Sequence, residues 1–200
     1  MTEPTPDVDF DDRTALIVVD VQNDFADPRG GLYVDGGDQI IPTVNGLIAA
    51  AQAAGAVVVY TQDWHPAQTP HFATYGGTWP EHCVQGSWGA ELHPALDVAG
   101  PVVRKGTGDE DGYSGFTARD VRTGELLATD LDGLLRRHDV TRVVVVGLAQ
   151  DVCVKDTALD ARRRGYDTTV LLAATRPVNL DPEDDRIAND AMTAAGVTLR

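Results

Sequence analysis

Six apolar runs divide the chain, at residues 15–19, 56–60, 101–104, 143–148, 168–172 and 197–199. Their apolar residues are consecutive rather than alternating with polar ones, the pattern of strands covered on both faces. Helical stretches lie between them. Residues 40–54 are alanine-rich and stop at Gly55; residues 129–138 open with Asp130 and Asp132 and close with Arg136, Arg137 and His138, charges that suit the helix dipole. Residues 152–164 end at Gly165, and after Leu180 the run Asp181-Pro182-Glu183-Asp184 offers an N-cap, a first-position proline and first-turn acids. Strands alternating with helices predict right-handed crossovers and a three-layer α/β/α fold around a central, mainly parallel sheet of about six strands. No internal repeat or low-complexity linker interrupts the pattern, so residues 1–200 are expected to form a single domain, with 1–12 as a flexible polar N-terminal tail.

Composition narrows the class. In 200 residues, 42% hydrophobic content supports one sizeable core. A formal net charge of −15, from 31 acidic and 16 basic side chains, makes the average surface repel phosphate backbones and anionic lipid. Neither nucleic acid nor a membrane is therefore expected as a partner. No apolar stretch approaches the roughly 20 residues of a membrane span, and the first seven residues lack the basic and apolar regions of a signal peptide. A cytoplasmic protein is expected, with Cys83 and Cys153 as free thiols or ligands rather than a disulfide. Exposed sheet edges or apolar helix faces leave a homo-oligomer open.

Chemistry-bearing residues collect at the C-terminal ends of the predicted strands, where open α/β sheets bind ligands. Asp20 ends the first strand, Asp63 lies just past the second, Lys105 ends the third, and Cys153 opens the helix after the fourth. A thiol on a first helical turn meets unpaired N–H groups and the positive end of the dipole. Lowering its pKa by about two units takes roughly 2.7 kcal/mol of preferential anion stabilisation. A helix terminus supplies about 0.3–1 kcal/mol, up to about 2 when partly buried. A cation is needed nearby, and Lys105 is the candidate, with Asp20 placed to take the thiol proton. Singly, Asp20 reads as a turn cap and Lys105 as a solvated strand end; their company at equivalent strand ends favours the catalytic reading.

Residues 62–100 show no clear periodicity, and loops of that length in compact domains are usually functional. They hold all three tryptophans and four of the five histidines. Asp63, His65, His71 and His82 assemble a carboxylate and imidazoles, a donor set that suits zinc, iron or manganese rather than magnesium or calcium. Cys83, beside His82, reads as a buried structural cysteine. Gly106-Thr107-Gly108 completes neither a dinucleotide fingerprint nor a Walker motif.

Several stretches are more specific in combination: Asp20-Val21-Gln22-Asn23-Asp24-Phe25, Asp63-Trp64-His65, Trp79-Pro80-Glu81-His82-Cys83, Lys105-Gly106, Tyr113-Ser114-Gly115-Phe116, and Gly147 to Val154. Through them the chain resembles the nicotinamidase and pyrazinamidase branch of the isochorismatase-like cysteine hydrolases along nearly its whole length. The resemblance implies an isochorismatase-like fold and a catalytic triad of Asp20, Lys105 and Cys153. It implies one divalent transition metal on Asp63, His65 and His82, with His71 matching a fourth ligand found in some members only. It also implies a cis peptide between Leu148 and Ala149, an oxyanion hole from the Ala149 and Cys153 N–H groups, and substrate-pocket walls at Phe25, Trp79 and Tyr113. The implied activity is hydrolysis of a small molecule, nicotinamide, to nicotinate and ammonia through a thioester, with pyrazinamide also accepted. Three alternatives stay open: a cysteine hydrolase for another small carboxamide, a metal-hydroxide hydrolase with a structural Cys153, and a non-catalytic module of this fold. The acidic stretch Asp109-Glu110-Asp111 departs from the family pattern and bears on the pocket entrance, and Gln150-Asp151 is this chain's own choice before the cysteine.

Overall fold

All six apolar runs become strands of one sheet in the computed structural model, which describes residues 8–120 and 122–200. In chain order the elements are β1 (Thr14–Val19), α1 (Asn23–Ala26), α2 (Ile41–Ala53), β2 (Val57–Asp63), β3 (Val102–Lys105), β4 (Glu110–Asp111), β5 (Thr117–Asp120), β6 (Leu126–Ala128), α3 (Leu131–Arg137), β7 (Arg142–Leu148), α4 (Lys155–Arg163), β8 (Asp167–Arg176), α5 (Asp184–Ala194) and β9 (Thr198–Leu199). The main sheet has the order β3-β2-β1-β7-β8-β9, and every neighbouring pair is parallel.

The period-2 alternation of β1 divides the core. Leu16 and Val18 enter one apolar cluster with Val44, Leu47 and Ile48 of α2. Ala15, Ile17 and Val19 enter the other with Leu131 and Leu135 of α3, Ala158 and Ala161 of α4 and Met192 of α5. Helices thus cover both faces of β1, β2 and β7, which is why those strands are continuously apolar; β3, at the sheet edge, instead alternates, with Val102 and Arg104 exposed and Val103 and Lys105 buried. Each fully buried leucine or isoleucine stabilises the fold by about 1.5–3 kcal/mol. Gly147 sits where β7 passes β1, at φ +109°, and a Cβ there would lie 2.1 Å from the Val19 carbonyl oxygen. Only glycine fits that crossing.

Helix ends follow the boundary signals with small shifts. α2 and α4 stop before Gly55 and Gly165, both at positive φ. The last helix begins at Asp184 rather than at Pro182; Asp184 Oδ2 instead accepts the Asp181 N–H at 2.9 Å across the preceding turn. Residues 150–154 wind as a π-helical turn before α4. A second, antiparallel sheet of β4, β5 and β6 stands outside the expected six strands, because its strands are only two to four residues long, β4 and β5 carry charge, and the short apolar run Leu126-Leu127-Ala128 of β6 lies exposed. It incorporates Glu110 and Asp111 of the acidic stretch. Of the expected tail, residues 1–7 lie outside the described residues, while Val8 and Phe10 pack half-buried against the first core cluster. Among the described residues no helix is long and apolar enough to cross a membrane.

Topology sets the place of the site. The chain builds outward from β1 to β2 and β3, then returns to the other side of β1 as β7, so the strand order reverses between β1 and β7. The loops after these strands open a crevice there. The long segment between β2 and β3 folds back over it, pinned to the loop after β1 by backbone bonds from Asn23 to Glu91, Asp24 to Gly89, and His93 to Val21.

Candidate active site and metal centre

Asp20 leaves β1 fully buried and with φ +48°, a left-handed conformation that costs a non-glycine residue about 1–3 kcal/mol and recurs at functional sites. Its Oδ1 accepts the Thr61 hydroxyl at 2.6 Å, and its Oδ2 lies 2.8 Å from Lys105 Nζ. Lys105 is 1% exposed at the end of β3; its ammonium also contacts Asp63 Oδ1, donates to the Gly112 carbonyl at 2.6 Å, and lies 3.6 Å from Cys153 Sγ. Cys153 sits buried on the π turn. Three strand ends that are far apart in sequence therefore bring carboxylate, ammonium and thiol together.

The electrostatics differ from the expected thiolate. Burial raises Asp20 to about 6, reinforced by the Asp63 charge and opposed by Lys105. Burial pushes the Cys153 thiol well up, and Asp20 and Asp63 add to that push against the single opposing charge of Lys105. For Lys105 burial favours the neutral amine, but the two carboxylates outweigh it and hold the ammonium charged. The expectation of a lowered thiol pKa counted the helix terminus and Lys105, but neither the burial of the sulfur nor the two carboxylates that share the lysine's charge. The resting arrangement is an ionisable carboxylate beside a neutral thiol.

Asp63 connects this group to the histidines. Burial works against its charge, yet Lys105, and then His65 and His82, hold it well below the usual carboxylate range. Its Oδ2 lies 3.7 Å from His65 Nε2 and 4.0 Å from His82 Nε2. Nitrogens of His65, His71 and His82 all approach within 4.8 Å of one another, so His71, matched in sequence to a ligand of some members only, joins the cluster. His65 and His71 stack with ring centroids 4.5 Å apart. Backbone contacts fix the rings: the His65 N–H donates to the Cys83 carbonyl at 2.9 Å, and the Gln85 N–H to His65 at 2.8 Å.

The donor set fits a divalent transition metal. Both ring nitrogens of fully buried His65 lack a hydrogen-bond partner, a loss of about 1–3 kcal/mol per orphaned group unless something else fills the lone pair. His82 Nδ1 donates to the Pro80 carbonyl at 2.7 Å, which leaves the Nε2 lone pair facing Asp63. Burial lowers His82 to about 4, so its ring stays neutral as a ligand must. The 3.7 and 4.0 Å spacings fall within the roughly 4 Å spanned by two metal–ligand bonds. Asp20, Asp63 and Cys153 also present ligand atoms within 4.8 Å of one another, but Lys105 Nζ fills the middle of that group, so it is no second cation site. His93 stays apart, its Nδ1 accepting the Ala95 N–H at 3.2 Å. Cys83 lies in the core cluster, and both cysteines are free thiols.

A pocket opens over both groups. Phe25, Trp79 and Tyr113 line it as expected, together with Cys153, Asp63, His71, His82 and Ala149. Trp79 Nε1 donates to the Tyr113 hydroxyl at 2.9 Å. The peptide between Leu148 and Ala149 is cis. Leu32, Val34, Val152 and Val178 complete the apolar walls; nothing in the sequence marked them out from ordinary core residues. Gln22, within the motif that follows β1, accepts the Asp63 N–H at 2.8 Å and donates to the Asp63 and Ala90 carbonyls. Asp24 accepts the Gly31 and Cys83 N–H groups, and a Cβ on Gly89 would lie 2.0 Å from its carboxylate. The acidic stretch is partly neutralised: Arg122 pairs with Asp109 at 2.7 Å, and Glu110 accepts from Thr107 and Gly108.

The isochorismatase domain profile matches residues 14–200. The chain belongs to the isochorismatase family. Among family members, the nicotinamidase of Escherichia coli K12 is 40% identical over 203 residues, covering 92% of this chain and 93% of that one. The zinc complex of Pyrococcus horikoshii pyrazinamidase superposes with a TM-score of 0.83 at 40% identity, covering 94% of this chain and 98% of that one. PnC1 from L. infantum in complex with nicotinate gives a TM-score of 0.86 at 38% identity, covering 96% and 95%.

Proposed function

We propose that this isochorismatase-family protein is a nicotinamidase, hydrolysing nicotinamide to nicotinate and ammonia and accepting pyrazinamide, with residues 1–200 acting as one hydrolase domain. The observation that carries the reading is the packing of Cys153, Asp20 and Lys105 into one buried group beside a histidine cluster, beneath an apolar, aromatic-walled pocket. Relatives that carry nicotinamidase and pyrazinamidase names support the choice of substrate. Two free thiols suit the reducing cytoplasm.

In this mechanism Asp20, at about 6 mostly ionised near neutral pH, takes the Cys153 proton as sulfur bonds to the carboxamide carbon and the C=O pair moves to oxygen. The Ala149 and Cys153 N–H groups receive that oxyanion; losing one such donor typically costs about 2.7–4 kcal/mol in the transition state. The C–N bond then breaks, protonated Asp20 gives its proton to the departing nitrogen, and ammonia leaves a thioester. Water attacks the thioester carbon as Asp20 takes its proton; the C–S bond breaks and the proton returns to sulfur. Lys105 keeps Asp20 in its working ionisation throughout. Asp63, His65, His71 and His82 would hold the metal, which when bound supplies a Lewis-acid anchor for a ring nitrogen. Phe25 and Trp79 flank the aromatic ring.

Ammonia release from nicotinamide, pyrazinamide and benzamide tests the reading. Benzamide has the same shape without the ring nitrogen, and its kcat/KM should be lower by at least about tenfold, the worth of one modest polar interaction. Equal hydrolysis of benzamide would remove the ring-nitrogen anchor, and no ammonia from any of the three would remove the nicotinamidase reading.

A further inference from the structure

Asp151 stands two residues before Cys153, is 6% exposed, and has no place in the chemistry described above. Its two carboxylate oxygens are both engaged by backbone from a distant segment: Oδ1 accepts the Val178 N–H at 2.9 Å, and Oδ2 the Asn179 N–H at 2.8 Å. Val178 is a wall of the pocket that holds Cys153. The segment follows β8 and has no strand partner among the described residues, and Asn179 takes a left-handed φ of +48°, so its backbone needs an outside hold; its side chain accepts the Asp185 N–H at 3.0 Å, while its own N–H goes to Asp151. Beside it on the same turn, Gln150 donates to Asn189 of α5 at 2.7 Å.

We infer that Asp151 is a positioning residue that clamps residues 178–179 onto the nucleophile turn and thereby sets where the Val178 wall stands in the pocket it shares with Cys153 and the aromatic side chains. A bidentate carboxylate suits this work, because charge-assisted bonds to two successive N–H groups fix both the distance and the orientation of the segment. The turn that delivers the sulfur and the wall that confines the substrate ring then move as one body. A wall held this way acts on substrate binding rather than on the proton transfers between Asp20 and Cys153.

This inference rests on the nicotinamidase reading, and its test has one arm that does not. Amide hydrogen exchange needs no substrate: the Val178 and Asn179 amides should be protected in the holoenzyme and exchange at least about tenfold faster in Asp151→Ala, as expected when a charge-assisted bond to an N–H is removed. Unchanged exchange would overturn the clamp whatever the enzyme's substrate. In steady-state kinetics with nicotinamide, Asp151→Ala should raise KM about tenfold with kcat changed little and metal content intact. Asp151→Asn, which keeps shape and one accepting oxygen, should fall between. Val178→Ala should also raise KM, and the double variant should be no worse than Asp151→Ala alone, because the wall it removes is already displaced. Additive effects of the two substitutions, or a fall in kcat at unchanged KM, would overturn the inference. Failure of the wild-type protein to release ammonia from nicotinamide would instead strike the functional reading and leave the exchange result standing.

Discussion

Two halves of one site are built by different means. Asp20, Lys105 and Cys153 stand at the ends of, or one turn beyond, parallel strands whose register is fixed by backbone pairing along β1, β2, β3 and β7. His65, His71 and His82 stand on a segment with little regular structure, held by isolated bridges within the segment itself, such as the backbone bonds of His65 with Cys83 and Gln85. The first half inherits its geometry from the sheet, where misplacing one residue would unmake a core. The second is assembled from many weak local contacts, and the partnerless ring of His65 offers one lone pair that a metal would take. Asp63 belongs to both, with one oxygen on Lys105 and the other facing the histidines.

The sharpest way to separate the halves is Cys153→Ala. It should reduce kcat by about 10⁴-fold or more while metal analysis still finds a full complement; appreciable residual turnover would end the covalent route. Chelation probes the other half. An ion bound at a hundredfold excess over its Kd stabilises the native state by about 2.7 kcal/mol, so stripping it should lower Tm and speed amide exchange at His65 and Gln85 while β1 and β7 amides hold. Uniform loosening of sheet and loop would show that the two are not independently built. The smallest effect is expected from Gln22→Ala, which orphans the buried Asp63 N–H at a cost of about 1–3 kcal/mol. Because Gln22 steadies the shared Asp63, both metal affinity and kcat should decline; loss of metal affinity alone would assign Asp63 to the histidine half.

The legibility of the site follows the same division. Strand ends could be read because unbroken valine-rich runs announce buried parallel strands, and such strands point their C-terminal ends at a common crevice. Asp20, Lys105 and Cys153 were therefore nameable from position. The histidines were visible as a group, from their concentration in one aperiodic loop, but spacing gave no reason to seat His71 with the other two. Leu32, Val34 and Val178 were invisible, because an apolar residue facing a pocket looks the same in sequence as one facing the core. The β4–β6 sheet escaped because its strands are two to four residues long and only β6 is apolar.

By itself the sequence determined the strands, the two-sided burial of the central ones, and the chemical inventory at their ends, since these depend on local periodicity and residue type. Only the tertiary structure decided who shares whose charge. Burial, and the two carboxylates that share Lys105, push the thiol up rather than down, and Asp151 reaches across 27 positions to hold a pocket wall. Such outcomes arise from distances between chain segments and from the summed fields of buried groups, and neither quantity is carried by any single stretch of residues.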